Sequence, residues 1–256
     1  MVNYIRNKIS AGSYDLNKWL FGGYEKDIIT TIYGPAGSGK TNFCLLASVS
    51  QAKKNNKIIF IDTEGGFSVE RTRQLVGEDK EEIKRILKNI ILLKPTSFDE
   101  QEKAFNTLLK EIQKQKSKQQ IGLIVVDGMT MLYRLKLAEA REKEAIDREN
   151  EIKKINSKLA KQMRILAEIA RKKEIPVIVT NQVYSEFLSE EELRAGKVKG
   201  VSMVGGDILK YWSKCIIELK IERNKKKAVL RKHRSLREKS LYFEIVDRGV
   251  RKKGWI

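Results

Sequence analysis

One stretch constrains this chain more than any other. Gly34-Pro35-Ala36-Gly37-Ser38-Gly39-Lys40-Thr41 stands between the β-rich run IITTIY and the apolar run TNFCLLASV. It fits G-x-x-x-x-G-K-[ST], the loop that joins a strand to a helix and cradles phosphate. Its glycines let the backbone curl until consecutive N–H groups face phosphate oxygens, with the N-terminus of the next helix adding to the field. Lys40 then reaches the β- and γ-phosphates, and the Thr41 hydroxyl holds Mg²⁺. Such a loop sits at the C-terminal edge of an open α/β sheet, so βαβ units are expected around it.

They are present. Apolar, β-rich runs recur at Ile28–Tyr33, Lys57–Asp62, Asn89–Leu93, Ile121–Asp127 and Pro176–Thr180, with helical stretches between them. IGLIVVD is apolar at nearly every position, the mark of a strand covered on both faces. Ile152, Ile155, Leu159, Leu166 and Ile169 recur at helical spacing and predict a long amphipathic helix over about 148–173. After Gly205-Gly206 the pattern becomes alternating: Cys215–Ile221, Ala228–His233 and Leu241–Val246 read as an antiparallel extension of the same sheet, ending at a turn around Asp247-Arg248-Gly249. With three prolines, no linker composition and no internal repeat, residues 1–256 are expected to form one domain.

Strand ends supply the remaining chemistry. Asp127 closes the Leu123–Val126 strand and is the expected second ligand to magnesium. Glu64 lies just past the strand KIIFIDT, where it would either polarise water or cap the following helix. Asn181-Gln182 follows PVIVT, as either an amide sensor of γ-phosphate or an ordinary turn pair.

Composition narrows the class. The 256 residues include 52 Lys+Arg against 33 Asp+Glu, a formal charge of +19, with 41% hydrophobic content. A chain this long can bury roughly 70–75% of its unfolded surface, and its hydrophobic share excludes wholesale disorder. Two cysteines and one histidine exclude a disulfide framework and a Cys/His zinc site. No apolar run approaches the roughly 18–20 residues needed to span a bilayer, and MVNYIRNKIS lacks a signal core, so a cytoplasmic protein without membrane association is expected. Residues 1–128 carry 20 basic and 15 acidic side chains, whereas 210–256 carry 16 and 5. A net +11 in 47 residues is an electrostatic footprint for a polyanion, against the plainer reading of a generally basic surface.

Together, IYGPAGSGKTN, FIDTEGGFSVER, LIVVDGMTMLYR, VIVTNQV and GGDILKYWSKCIIEL resemble, in order, the recombinase branch of the RecA superfamily, over about residues 10–250. The resemblance implies an α/β, RecA-like P-loop ATPase core: a mostly parallel central sheet flanked by helices, with an antiparallel C-terminal extension. It makes Glu64 the catalytic glutamate, Arg71 the arginine that packs on adenine, and Gln182 the glutamine opening the second DNA-binding loop. ATP and Mg²⁺ become the expected cofactors. DNA, single-stranded and duplex, becomes the expected ligand, with a RadA-type recombinase and other recombination proteins as partners. Only 33 residues precede Gly34, too few for the family's N-terminal helix-hairpin-helix domain, so filament formation and autonomous strand exchange are not expected. The first DNA loop is replaced by LKLAEAREKEAIDREN, helical in composition.

The second loop corresponds to about 183–204, acidic in its first half and basic in its second, where Arg194, Lys197 and Lys199 would follow a phosphate backbone. Lys225, Lys226, Lys227, Arg231 and Lys232 of the terminal hairpins are further candidates, against the alternative of a solvated hairpin tip. The overall expectation is an ATP- and DNA-binding accessory protein of homologous recombination and repair with weak or regulatory hydrolysis. A KaiC-like signalling ATPase with a protein partner is the alternative.

Overall fold

A computed structural model describes residues 7–114, 120–142, 144–185, 201–203 and 205–254. The chain enters through a short antiparallel pair, β1 (Lys8–Ile9) and β2 (Tyr24–Glu25), around α1 (Tyr14–Trp19). Ser13 caps that helix, its Oγ accepting from the Leu16 N–H at 3.2 Å. Then follow β3 (Ile29–Gly34), α2 (Lys40–Lys53), β4 (Lys57–Asp62), α3 (Val69–Val76), α4 (Lys80–Lys88), β5 (Ile90–Leu93), α5 (Phe98–Gln113) and β6 (Ile121–Asp127). The helices α6 (Met131–Arg141) and α7 (Ala145–Lys173) precede β7 (Val177–Ser185) and β8 (Val201–Met203). The chain closes with α8 (Gly206–Trp212), β9 (Ser213–Glu222), β10 (Lys225–Lys232), β11 (Lys239–Val246) and β12 (Gly249–Lys252).

The main sheet runs β12-β11-β10-β9-β3-β7-β6-β4-β5, with β8 pairing antiparallel to the far end of β7. From β9 to β5 every neighbouring pair is parallel, as the fully apolar strand runs require. From β9 outward the pairs are antiparallel. The extension therefore begins one strand later than the alternation suggests: β9 runs parallel to β3 because α8 carries the chain back to the start of the sheet. Here β12 adds a strand beyond the turn at Asp247-Arg248.

Two apolar layers sandwich the parallel strands. One gathers α1, α2, Leu75 of α3 and Ile86 of α4 over one face, together with Ala228, Leu230, Leu241, Phe243 and Val250 of the antiparallel strands. The other gathers α5, α6, α7 and Leu209 of α8. No residue of β10 to β12 joins that second layer, so among the described residues the outer face of the antiparallel strands lies outside both apolar clusters, with Lys227 and Tyr242 on it beside the buried Val229. These strands pack tightly on the phosphate-loop helix, as in the edge-to-face contact of Phe43 with Phe243 at 5.2 Å.

Candidate nucleotide-binding site

The parallel register brings the functional strand ends together. Gly34 pairs with Gln182, Asp62 with Asp127, and Val126 with Val179, which sets Thr180 beside Asp127. All lie at the C-terminal edge, where α2 begins with Gly39 as a left-handed cap (φ +107°).

Lys40 is buried, and its Nζ donates to the carbonyls of Gly34 and Pro35 at 2.9 and 3.0 Å. Burial pulls its pKa down, while the nearby Glu64 and Asp127 carboxylates work in the opposite direction. Thr41 Oγ1 donates to Asp127 Oδ2 at 2.7 Å, and Thr180 Oγ1 donates to Asp127 Oδ1 at 2.6 Å. Burial raises the Asp127 pKa; the two threonine hydrogen bonds oppose that rise, and Glu64 and Asp62 add to it. Opposite them Gln182 Nε2 donates to Glu64 Oε2 at 3.0 Å, while Glu64 Oε1 is buried with no hydrogen-bond partner among the described residues. Ser38 Oγ in the loop is likewise orphaned. Buried polar atoms left unmatched in this way mark where a ligand or water completes the site.

The residues fit a magnesium ion. Thr41 and Asp127 offer hard oxygen donors, the ligands that ion selects. The space beside them is kept open by Gly66, where a Cβ would stand 3.0 Å from Thr41 Oγ1 and 3.3 Å from Asp127 Oδ2. Gly128, at φ +89°, does the same for the glutamate: a Cβ there would lie 2.8 Å from Glu64 Oε1.

Glu64 does not cap the next helix. Ser68 does, accepting from the Arg71 N–H at 3.0 Å. Asn181 and Gln182 are not a turn pair either, since β7 continues through them to Ser185. Arg71 is fixed within its own plane: Nε donates to Asn42 Oδ1 at 2.8 Å, Nη2 to the Val246 carbonyl at 2.8 Å, and Nη1 to the Asp247 carbonyl at 3.0 Å and Gln74 Oε1 at 2.8 Å. Stacking on a base uses a guanidinium's faces and not these edge donors.

The basic residues are less coherent than the site. Arg194, Lys197 and Lys199 lie outside the described residues. Lys225 is exposed at the start of β10. Lys226 donates to the Gly37 carbonyl of the phosphate loop. Lys227 pairs with Glu222 at 3.3 Å and lies over the Tyr242 ring, 5.1 Å from its centre. Arg231 bonds Glu218 and Glu238, each at 2.6 Å, and Lys232 donates to the Lys210 carbonyl at 2.8 Å. Thr180, Thr63, Gly66, Gly128 and Thr130 escaped the sequence reading, whereas Asn181, singled out there with Gln182, is buried and accepts a hydrogen bond from Thr130 Oγ1. Thr63 Oγ1 donates to the carbonyls of Asp127 and Gly128 and ties the glutamate loop to β6. The signal for Thr180 is register: the residue beside Asp127 on the neighbouring parallel strand.

The Rad51 family model matches residues 5–253. The chain belongs to the Rad51 family. It is 38% identical over 253 residues to the DNA repair and recombination protein RadB of Methanobrevibacter smithii, covering 98% of each chain. The RadB proteins of Methanococcus maripaludis (strain C7) and Methanocaldococcus jannaschii are 39% identical over 236 residues and 37% over 235. Those alignments cover 92% of this chain and 96% and 98% of theirs. The chain is thus a RadB-type paralogue within the Rad51 family, a family that binds nucleotide. Its phosphate loop, Glu64, Asp127 and Gln182 all fall inside the matched span.

Proposed function

We infer that the chain is an ATP- and DNA-binding accessory protein of homologous recombination and DNA repair, with slow or regulatory ATP hydrolysis, acting beside a RadA-type recombinase. The Glu64–Gln182 hydrogen bond at 3.0 Å carries this reading, because it ties a candidate water-orienting carboxylate to β7, whose last residues open the stretch, about 183–204, that corresponds to the family's second DNA-binding loop. The names of the RadB relatives, each called a DNA repair and recombination protein, support the setting.

In this reading the backbone N–H groups of residues 34–41 bind the phosphates, and Lys40 exchanges the Gly34 and Pro35 carbonyls for β- and γ-phosphate oxygens. Thr41 and Asp127 hold Mg²⁺, which when bound supplies positive charge against the phosphate oxygens. Arg71 packs on adenine. The unpartnered Glu64 Oε1 accepts a hydrogen bond from the attacking water and orients it. Gln182 holds the other oxygen of that carboxylate, so a change at the γ-phosphate is felt at the base of the DNA loop. This gives two sites and a connecting element, the terms in which coupling is defined.

The test joins hydrolysis to DNA affinity. Glu64→Gln should lower turnover at least ~10²-fold while leaving ATP binding intact, and DNA affinity should differ between apo, ADP and ATP states. Turnover surviving in Glu64→Gln removes the water-orienting role. Equal DNA affinity in all three states removes the coupling.

A further inference from the structure

The sequence run Lys225-Lys226-Lys227 looks like one block of charge, yet strand alternation divides it. Lys226 shares a face with Ala228 and Leu230, which are buried against α2, and sits opposite Phe243 in the β10–β11 register. From that face its Nζ reaches the Gly37 carbonyl at the tip of the phosphate loop. Two neighbours on β11 press the same loop: Ile245 Cδ1 and Phe243 Cε2 would lie 3.1 and 3.7 Å from a Cβ on Gly39. The β10–β11 pair thus grips the loop by an apolar contact at Gly39 and a charge at Gly37.

We propose that Lys226 is a positioning residue for nucleotide binding, acting through the Gly37–Ser38 peptide and not on the nucleotide itself. An ammonium on the Gly37 carbonyl polarises that peptide unit and makes the Ser38 N–H a stronger donor. Among the described residues this N–H makes a long contact, 3.3 Å, with the Pro35 carbonyl, which a phosphate oxygen can replace. Gly37 sits at φ +70°, and a Cβ there would meet nothing within 4 Å. Gly37 is exposed at the tip, and the Lys226 bond supplies it a tether. By the same contact, nucleotide binding steadies the Arg223-Asn224 turn between β9 and β10 and the Lys225 that follows it.

This rests on the reading of residues 34–41 as a nucleotide site, and the experiment separates the two. Dissociation constants for Mg-ATP and Mg-ADP are measured without DNA on the full chain, for the wild type, Lys226→Ala, Lys226→Gln and Lys226→Arg, with DNA affinity against salt taken in parallel. Loss of one partly exposed charge-assisted hydrogen bond should weaken both nucleotides about three- to tenfold in Lys226→Ala. Lys226→Arg should restore most of the affinity, Lys226→Gln part of it, and kcat should change less than KM. A loss confined to ATP would overturn the proposal by placing Lys226 on the γ-phosphate. Unchanged nucleotide affinity with a DNA salt slope lower by about one would overturn it by making Lys226 a DNA contact. A wild type that binds neither nucleotide would instead remove the nucleotide reading itself.

Discussion

Asp127 shows how a candidate magnesium ligand weakens the fold that holds it. It is 1% exposed, and burial raises its pKa above the ordinary 3.8 despite hydrogen bonds from Thr180 and Thr41. A carboxyl whose folded pKa is raised favours the fold fully below the unfolded value, and that contribution is lost as pH rises through the folded pKa. Ionising this side chain is thus a net cost to the fold. Asp127→Asn removes the buried charge and should raise the Tm of the apo protein, while abolishing the further rise that Mg-ATP gives the wild type. A lower apo Tm in a properly folded variant would contradict this account of the burial. Asp127, Lys40, Thr41 and Glu64 were legible in the sequence because each is a charged or hydroxyl group at the end of a strand or in a glycine loop, where packing has no use for it. Thr180 was not legible, since a threonine closing PVIVT looks like any β-branched strand residue. Only the register with β6 gives its hydroxyl a carboxylate to bind.

At the level of elements, the strands covered on both faces could be read closely, because their apolar runs leave no other placement. Those covered on one face were read less fully: Ala228–His233 and Leu241–Val246 stand for β10 and β11 with their first residues missed. Gly249-Val250-Arg251-Lys252 buries only Gly249 and Val250, too little pattern to announce β12. β7 outruns its apolar stretch by pairing with β8, a contact invisible to periodicity. β2 and the segment after β10 are tied by charge. Arg234, after β10, holds Asp27 through two hydrogen bonds of 2.7 Å and lies 2.8 Å from Glu25 Oε2, with His233 Nε2 at 3.9 Å from the same oxygen. Glu25 is 5% exposed, so truncating Arg234 leaves a buried carboxylate without its main counter-charge. Because Arg234 is itself 40% exposed, the cost of Arg234→Ala is set at about 1–3 kcal/mol at pH 7, below the full buried-pair penalty. The Arg234 hydrogen bonds hold the Asp27 pKa below its ordinary 3.8. The stability they give is therefore present above that value and fades as pH falls through the folded pKa. Urea unfolding at pH 7 and near pH 3 should show the penalty shrinking in acid; a penalty independent of pH would assign the loss to packing.

For the whole molecule, the question is where the charge of +19 can meet a polyanion. The excess in residues 210–256 is real but divided. Seven steps of about 3.3 Å separate Lys225 at the nucleotide edge from Lys232 at the opposite edge, so the two ends of β10 stand about 23 Å apart. Toward the far end Arg231 is spent on Glu218 and Glu238, and Lys232 on a backbone carbonyl. At the nucleotide edge Arg223, Lys225 and Lys253 line a cavity of about 620 Å³ with Tyr242, and Glu222 is the acid among them. If DNA is gripped near the ATP site, its phosphates meet this edge. Each phosphate contact contributes about 0.7–0.9 to the slope of log affinity against log salt. Lys225→Ala should therefore lower the slope by roughly one unit, and Arg231→Ala, whose charge already faces two carboxylates, should leave it nearly unchanged. Titrations of single-stranded DNA at several salt concentrations measure both. A slope that falls for Arg231→Ala and not for Lys225→Ala would place DNA along the outer face of the antiparallel strands, away from the nucleotide edge.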